Sequence, residues 1–221
     1  MATSNSRDFD LDVAEIIEEA YERCGLESRT GYDLKTARRS LNIMFAEWAN
    51  RGLNLWTVQQ ETQALTSGTA TYSLTSDYTD LLEVAVRRSG TDFMMTRMSR
   101  GEYLNIPTKT QTGRPTQYYF DRRTTPSLIL WPTPENSTDS LIYYYVRRIQ
   151  DADTQINTTD APFRFLPCVI AGLSYYLAMK KAPDRIQLLK SVYEEEFQRA
   201  SDEDDDRVPL KLTPDIKFLR V

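Results

Sequence analysis

One long amphipathic helix constrains the fold of this chain most. Across residues 30–52, apolar side chains recur at steps of three and four positions, so they share one face of a helix. That face consists of Leu34, Ala37, Leu41, Met44, Phe45 and Trp48. Thr30 and Asp33 form an N-terminal capping pattern, and Gly52 can adopt the left-handed conformation that ends a helix. Directly afterwards, from Thr57, β-branched and aromatic residues dominate, so we expect the other elements to be arranged around this junction.

A shorter helix precedes the long one. Asp10 is the predicted N-terminal cap, and Gly25 is the predicted end. Its buried face is predicted to contain Val13, Ile16, Ile17, Ala20, Tyr21 and Cys24. Only residues 26–30 separate the two helices, and so short a link favours an antiparallel helical hairpin.

The middle of the chain is predicted to be an antiparallel β domain. Its short apolar segments are bounded by turn residues at close intervals. We expect strands near 57–65, 69–74, 82–88, 92–97, 116–122, 127–131 and 139–148. Ser67-Gly68 and Ser89-Gly90 are predicted to close hairpins, and Ser99 with Glu102 to cap a single helical turn. Links of hairpin length favour a sandwich or a barrel.

Helical periodicity returns after Asp160. A wide apolar face, typical of a central buried helix, includes Phe163, Leu166, Val169, Ile170, Leu173, Tyr176 and Leu177. Pro167 indicates that this helix begins near Phe165 or is kinked. A last helix is predicted to end near Ala200, before the acidic run 201–207.

The last segment, residues 208–221, is too apolar to be stable in water by itself. Alternating apolar positions favour an extended strand that docks on a neighbouring subunit or partner. The residues predicted to make this contact are Val208, Leu210, Leu212, Ile216, Phe218, Leu219 and Val221.

The predicted fold class is α+β. Residues 1–56 and 150–200 together form a four-helix bundle-like α domain, into which residues 57–149 insert an antiparallel β-sandwich or barrel. Residues 201–221 form an extended C-terminal arm.

Composition excludes several classes of chemistry. The chain has no histidine, which excludes Ser-His-Asp and Cys-His catalysis and the commonest transition-metal ligand. It has no glycine-rich phosphate loop, so we expect no cofactor and no metal. Cys24 and Cys168 lie in apolar helical contexts and are predicted to be buried free thiols. Because no apolar run approaches the roughly 20 residues of a membrane helix, we expect no membrane insertion and a soluble protein made in the cytoplasm.

The net charge of −5 does not favour phosphate binding. Basic pairs interrupt the acidic surface at Arg38-Arg39 and, within the β region, at Arg87-Arg88, Arg122-Arg123 and Arg147-Arg148. These pairs have two interpretations. They are ion-pair partners for the acidic excess, or they are strand-end arginines at a subunit interface.

The element order resembles that of the head-to-tail connector, or adaptor, proteins of short-tailed phages, also called tail tubular protein A or head-completion proteins. Three segments carry the resemblance: IIEEAYERCGL, ARRSLNIMFAEWANRGLNLW and FRFLPCVIAGLSYYLAMKK. The second, with Asn-Arg-Gly between two tryptophans, is the most telling of the three. Together the segments place nearly the whole chain in the family's order of elements.

The resemblance implies a structural, non-enzymatic virion protein at the head-tail junction. It implies a ring of twelve identical subunits that binds the portal protein above and a tail nozzle or tail tubular protein below. Double-stranded DNA would pass through the ring without specific binding, since an acidic lumen lets DNA slide. Residues 208–221 would be the portal clamp, and loops within 57–149 would contact the nozzle.

Two other classes of function stay open from the residues. A cell-wall glycosidase would need two carboxylates, for which Glu15, Glu18, Glu19 and Glu194 to Glu196 are candidates on predicted exposed helix faces. A module that binds single-stranded nucleic acid would stack bases on aromatic residues of 117–123 and 143–148. Strand alternation places Tyr118 and Phe120 opposite to Tyr119, which core packing explains equally well.

Overall fold

The computed structural model describes residues 5, 9–28, 30–52, 55–154 and 156–204, and it has the predicted mixture of helices and antiparallel sheets. Within this part of the chain the helices are α1 (Val13–Arg23), α2 (Gly31–Arg51), α3 (Arg100–Asn105), α4 (Leu166–Lys181) and α5 (Ile186–Asp204). The strands are β1 (Val58–Ala64), β2 (Thr71–Ser73), β3 (Tyr78–Arg88), β4 (Thr91–Met94), β5 (Thr96–Arg97), β6 (Thr112–Gly113), β7 (Gln117–Asp121), β8 (Ser127–Trp131), β9 (Thr133–Pro134) and β10 (Ser140–Arg147). One apolar core lies among the helices and a second lies between the two larger sheets.

Helix α2 begins and ends at the predicted residues. The Thr30 hydroxyl accepts a hydrogen bond from the Asp33 amide, and Gly52 has a φ of 91°. The predicted cap of α1 is wrong, because Asp12 and not Asp10 occupies that position. The Asp12 carboxylate accepts from the Glu15 amide while the Glu15 carboxylate accepts from the Asp12 amide, which forms a reciprocal capping box. The Asp10 carboxylate accepts a hydrogen bond from the next amide in the chain instead.

Helix α4 is the centre of the helical core. Pro167 lies in its first turn, where a missing N–H costs nothing, so the helix begins at Leu166 and the predicted position of its start is nearly right. Helices α1 and α2 both pack more extensively on α4 than on each other. Although the link between α1 and α2 is short, each of these helices therefore packs mainly on α4.

Gly172 lets two neighbouring side chains approach α4 closely. A Cβ at this position would lie 2.3 Å from Met44 Sδ on α2 and 2.8 Å from Tyr193 Cε2 on α5. Both distances are far below van der Waals contact, so the surrounding side chains would have to move. The absent side chain is thus what allows three helices to meet at this point.

We expect Gly172→Ala to lower the free energy of unfolding. Alanine favours a helix over glycine by about 1 kcal/mol, whereas overpacking a dense core costs roughly 1–3 kcal/mol. Because Tyr193 is fully buried and cannot move outward, the overpacking cost should win. Urea unfolding followed by circular dichroism would measure the difference. Gly31→Ala is the matched control, since a Cβ there meets nothing within 4 Å, and a more stable Gly172→Ala protein would contradict the argument.

Helix α5 continues four residues beyond the predicted end at Ala200. The acidic run begins inside the helix rather than after it. The Asp204 carboxylate accepts a hydrogen bond from the Leu55 amide at 3.1 Å, which ties the end of α5 to the junction between α2 and β1. This long-range contact was not visible in the local sequence pattern.

The β region is a sandwich of two four-stranded sheets, in the orders β1-β10-β3-β4 and β2-β8-β7-β5, with β6 and β9 forming a small parallel pair. The predicted β3–β4 hairpin is confirmed, and its turn residues Ser89 and Gly90 both have positive φ, as a tight two-residue hairpin requires. The predicted β1–β2 hairpin is wrong. Leu65 and Gly68 donate backbone hydrogen bonds to residues 139 and 134, so the link crosses from one sheet to the other.

Aromatic side chains fill the space between the sheets. Tyr118, Phe120, Tyr143 and Tyr145 belong to this core, and Tyr78 stacks on Tyr145 with ring centroids 3.9 Å apart. Their neighbours Tyr119 and Tyr144 face outward, as the alternation predicts. Four of the six rings considered for base stacking are therefore buried, which removes the main support for a nucleic-acid-binding sheet.

Candidate assembly surfaces

The outer face of the β1-β10-β3-β4 sheet carries an apolar patch. Ile142 of β10 pairs with Ala85 of β3, which in turn pairs with Met94 of β4, so these three side chains form a row across the sheet. Met94 is 68% exposed, and Leu82 and Tyr144 on the same sheet are 49% and 42% exposed. We call Leu82, Ala85, Met94, Ile142 and Tyr144 the sheet patch. Ala85 and Ile142 are themselves buried, so the exposed part of the patch consists of Leu82, Met94 and Tyr144. Clustered exposed apolar residues of this kind usually mark a protein contact.

A groove of about 670 Å³ lies between α1 and the start of α4. It forms because the Val13 amide donates a hydrogen bond to the Asn157 carbonyl at 3.0 Å, which holds the chain preceding α4 against the start of α1. Its apolar lining consists of Phe9, Leu11, Phe163, Leu166, Pro167 and Ile170. Along one side run the α1 carboxylates of Glu15, Glu18, Glu19 and Glu22. We call this feature the acidic groove, and sequence reasoning missed it because the two halves lie about 150 residues apart.

The predicted basic pairs occupy strand ends and mostly contact carboxylates of the same chain. Arg87 makes two hydrogen bonds to Asp92, at 2.6 and 2.7 Å. Arg88 contacts both Glu135 and the buried Asp139. Arg122 lies 3.7 Å from Asp80, Arg123 pairs with Asp121, Arg147 pairs with Asp160, and the Arg148 side chain is exposed. These contacts agree with the interpretation as ion-pair partners, and they leave Arg122 and Arg123 the most exposed of the five paired arginines.

A polar network joins the three long helices. The Glu47 carboxylate on α2 accepts hydrogen bonds from the hydroxyls of Tyr176 on α4 and Tyr193 on α5. The indole N–H of Trp48 donates to the same Tyr193 hydroxyl at 3.0 Å. Burial raises the pKa of both tyrosines, so they stay neutral donors at physiological pH. The network therefore fixes the relative positions of α2, α4 and α5 and is structural in character.

The carboxylates considered for glycoside hydrolysis lie on helix surfaces. Glu15, Glu18, Glu194 and Glu195 are exposed, and Glu19 forms an ion pair with Arg23. A proton-donating carboxylic acid normally needs an apolar pocket around it. Glu15, Glu18 and Glu19 line one side of the acidic groove, but there they are exposed to water or, for Glu19, paired with Arg23 rather than enclosed by apolar side chains.

Both cysteines are free and buried, as predicted. Burial raises the pKa of the Cys24 thiol, and it raises the pKa of the Cys168 thiol from 9.0 to about 12. Among the described residues there is no cluster of three or more metal-ligating side chains. In the same ranges, none of the helices is long and apolar enough to cross a membrane.

We expect neither thiol to react with a disulfide reagent at pH 8 while the chain is folded, and both to react in denaturing urea.

A thiol whose pKa is raised in the folded state contributes stability that is fully present below its unfolded pKa. This stability is lost as pH rises through the folded pKa. The Cys168 contribution should therefore fall between about pH 9 and about pH 12. Comparing urea unfolding of wild type and Cys168→Ala across this range tests the sign, and rapid labelling of the folded chain would contradict the burial.

The predicted arm, residues 208–221, lies outside the described residues, as do all seven of its named contact positions. The last described helix ends at Asp204 beside Leu55.

Comparison with known protein families shows to which family the chain belongs. Residues 11–213 match the family model of the SU10 adaptor protein, which covers nearly every element described above and extends into the predicted arm. The chain belongs to the SU10 adaptor protein family. A search of curated proteins gave no significant match.

Membership of the SU10 adaptor family gives the chain a structural role in a phage virion, where it contacts other virion proteins. This agrees with the resemblance to phage adaptors seen in the sequence. An adaptor works through contact surfaces, so the sheet patch and the acidic groove are the candidate surfaces for such contacts.

Proposed function

We propose that this SU10 adaptor family protein forms a ring of twelve copies at the head-tail junction of a short-tailed phage. The ring binds the portal protein on one side and the tail nozzle or tail tubular protein on the other, and DNA leaves the capsid through its centre. The observation that carries the proposal is the family match over residues 11–213. A net charge of −5 on each copy supports a lumen along which DNA slides without binding.

Within this ring, the sheet patch is the proposed contact between neighbouring subunits. Ring interfaces need apolar area that a single subunit leaves exposed, and Met94, Leu82 and Tyr144 provide it. Arg122 and Arg123 follow β7 of the other sheet and are the most exposed of the paired arginines, at 57% and 73%, so they are proposed to add ion pairs between subunits at a second place. The loops of residues 57–149 would contact the nozzle.

Residues 208–221 are the proposed portal clamp. Their seven apolar positions would be covered when they reach the portal or an adjacent subunit. In this proposal the residues before 205 form the folded part of the adaptor, and residues 208–221 attach it to the portal.

A phage in which this gene carries a stop codon would test the proposal in the host. The expected result is capsids that lack tails, with the tail protein left unassembled in the lysate. Complementation with Met94→Glu should restore tails poorly, because a charge in the sheet patch opposes subunit contact. Leu188→Glu, at an equally exposed apolar residue of α5 outside the patch, is the matched control and should restore them fully. Complete, tailed particles without the chain would refute the adaptor role.

A further inference from the structure

The acidic groove exposes aromatic surface that is unusual for a chain in water. Phe9 and Phe163 are each 65% exposed, and their rings meet edge to face with centroids 6.1 Å apart. Leu166 and Ile170 form the floor beneath them. Continuous apolar surface of this kind in a groove normally receives another segment.

The charge of the groove specifies the sign of its occupant. Four glutamates line it against two arginines, Arg23 and Arg164, which leaves a net charge of −2. Residues 208–221 carry Lys211, Lys217 and Arg220 against the single acidic residue Asp215, a net charge of +2, among seven apolar positions. An apolar segment with positive net charge is the complement of an apolar groove with an acidic side.

The same segment leaves the body of the protein next to the groove. The end of α5 is fixed where Asp204 accepts a hydrogen bond from the Leu55 amide. Trp56, the residue after Leu55, stacks on Phe165 with ring centroids 4.7 Å apart. Phe165 lies in the chain between Arg164 and Leu166, which both line the groove. Arg164 also lines a small cleft with Arg199 and Ala200 of α5.

The chain that follows Asp204 can extend over a large distance. Seventeen residues follow it, and extended chain spans about 3.3 Å per residue, so the segment can reach roughly 56 Å. A segment tethered this close to its site has an effective concentration on the order of millimolar. Docking on the same chain is therefore favoured over docking on a second, free copy.

We propose that residues 208–221 occupy the acidic groove of their own chain before assembly. In this docked state the apolar residues of the segment cover Phe9, Phe163 and the floor of the groove. Lys211 and Lys217 lie against the α1 carboxylates. The proposal concerns the isolated chain and adds a stored position for the segment that the adaptor model uses as a portal clamp.

Zero-length carbodiimide crosslinking of the full-length chain tests this directly, because it joins lysine amines only to carboxylates that they contact. We expect crosslinks from Lys211 or Lys217 to Glu18 or Glu22, read by mass spectrometry after digestion. An equal mixture of ¹⁴N and ¹⁵N chains separates the two sources of the segment. Crosslinks within one isotope support the proposal, while mixed-isotope crosslinks, which place a second copy's segment in the groove, would overturn it.

Limited trypsin digestion of full-length variants gives a second, independent reading. Docking should shield the peptide bonds after Lys211 and Lys217. Glu18→Gln with Glu22→Gln should therefore speed their cleavage by about tenfold, the order of effect expected from the loss of two surface ion pairs. Phe163→Ser should act in the same direction. Glu83→Gln and Leu104→Ser are the matched controls, because Glu83 is exposed on β3 and Leu104 is 65% exposed on α3.

Equal cleavage rates in groove and control variants, or crosslinked chains in which neither lysine joins a groove carboxylate, would overturn the proposal and leave the groove to a different virion protein. No portal protein enters either experiment. A negative result would therefore not touch the adaptor ring, and failure of the chain to join a portal would not touch the docked segment.

Discussion

Trp48→Ala is expected to lower the free energy of unfolding by about 4 kcal/mol, because it empties the centre of the helical core. Trp48 is fully buried, and its ring packs against Phe45 and Phe197 with centroids 5.8 and 6.4 Å away. Removal of the ring leaves a cavity between α2 and α5 that the helices cannot fill by small movements. It also removes the indole N–H that donates to the Tyr193 hydroxyl.

Trp48→Phe separates the two contributions, since it keeps most of the apolar ring and deletes the donor. Its cost should be about 1–2 kcal/mol. Urea unfolding monitored by far-ultraviolet circular dichroism is the appropriate measurement, because the substitution itself alters fluorescence. Trp131→Ala, at a half-buried tryptophan of β8, is the control and should cost less than Trp48→Ala. Equal costs at the two positions would show that α2 does not organise the core.

Asp160→Ala is expected to cost about 3 kcal/mol, because it leaves a largely buried arginine without its partner. The side chains of Arg147 and Asp160 are 12% and 14% exposed, and both terminal nitrogens of Arg147 donate to the Asp160 carboxylate. The Gln150 amide donates to the same carboxylate at 2.9 Å. This cluster fastens the end of β10 to the segment that leads into α4, so its loss should loosen the connection between the β-sandwich and the helices.

The double variant Arg147→Met with Asp160→Asn should recover more than half of that loss. It removes the buried charge, and the asparagine oxygen can still accept from the Gln150 amide. Asp92→Ala provides the matched surface control, since the Arg87–Asp92 pair is 48% and 44% exposed and its loss should change the free energy of unfolding far less than the loss of the buried pair. If Asp160→Ala and Asp92→Ala lowered the free energy of unfolding by the same small amount, the Arg147–Asp160 pair would not be what holds β10 to the segment before α4.

Local patterns predicted the helical elements well. Thr30 and Gly52 identified both ends of α2, because capping and the left-handed turn depend on neighbouring residues only. Ser99 and Glu102 identified α3 for the same reason. The prediction of Asp10 as the cap of α1 failed because the start of this helix depends on a bridge from Asp12 to Thr158, far away in sequence.

Long-range pairing limited the prediction of the sheets and of the candidate surfaces. Strand positions followed from composition, but Ser67-Gly68 resembled a hairpin turn, and its actual partners lie in residues 134–139. The acidic groove requires Phe9 beside Phe163, a contact that no local pattern encodes. The sheet patch likewise depends on the register that aligns Met94, Ala85 and Ile142.

The central claim is that this adaptor assembles on a portal as a ring. Its most direct test is the mass of the purified chain by light scattering, alone and mixed with the cognate portal ring, with a second protein that stops at Arg207. We expect the full-length chain to join the portal as a complex with twelve added copies and the shortened chain to stay free. A full-length chain that ignores the portal and keeps the mass of a free monomer or dimer would contradict it.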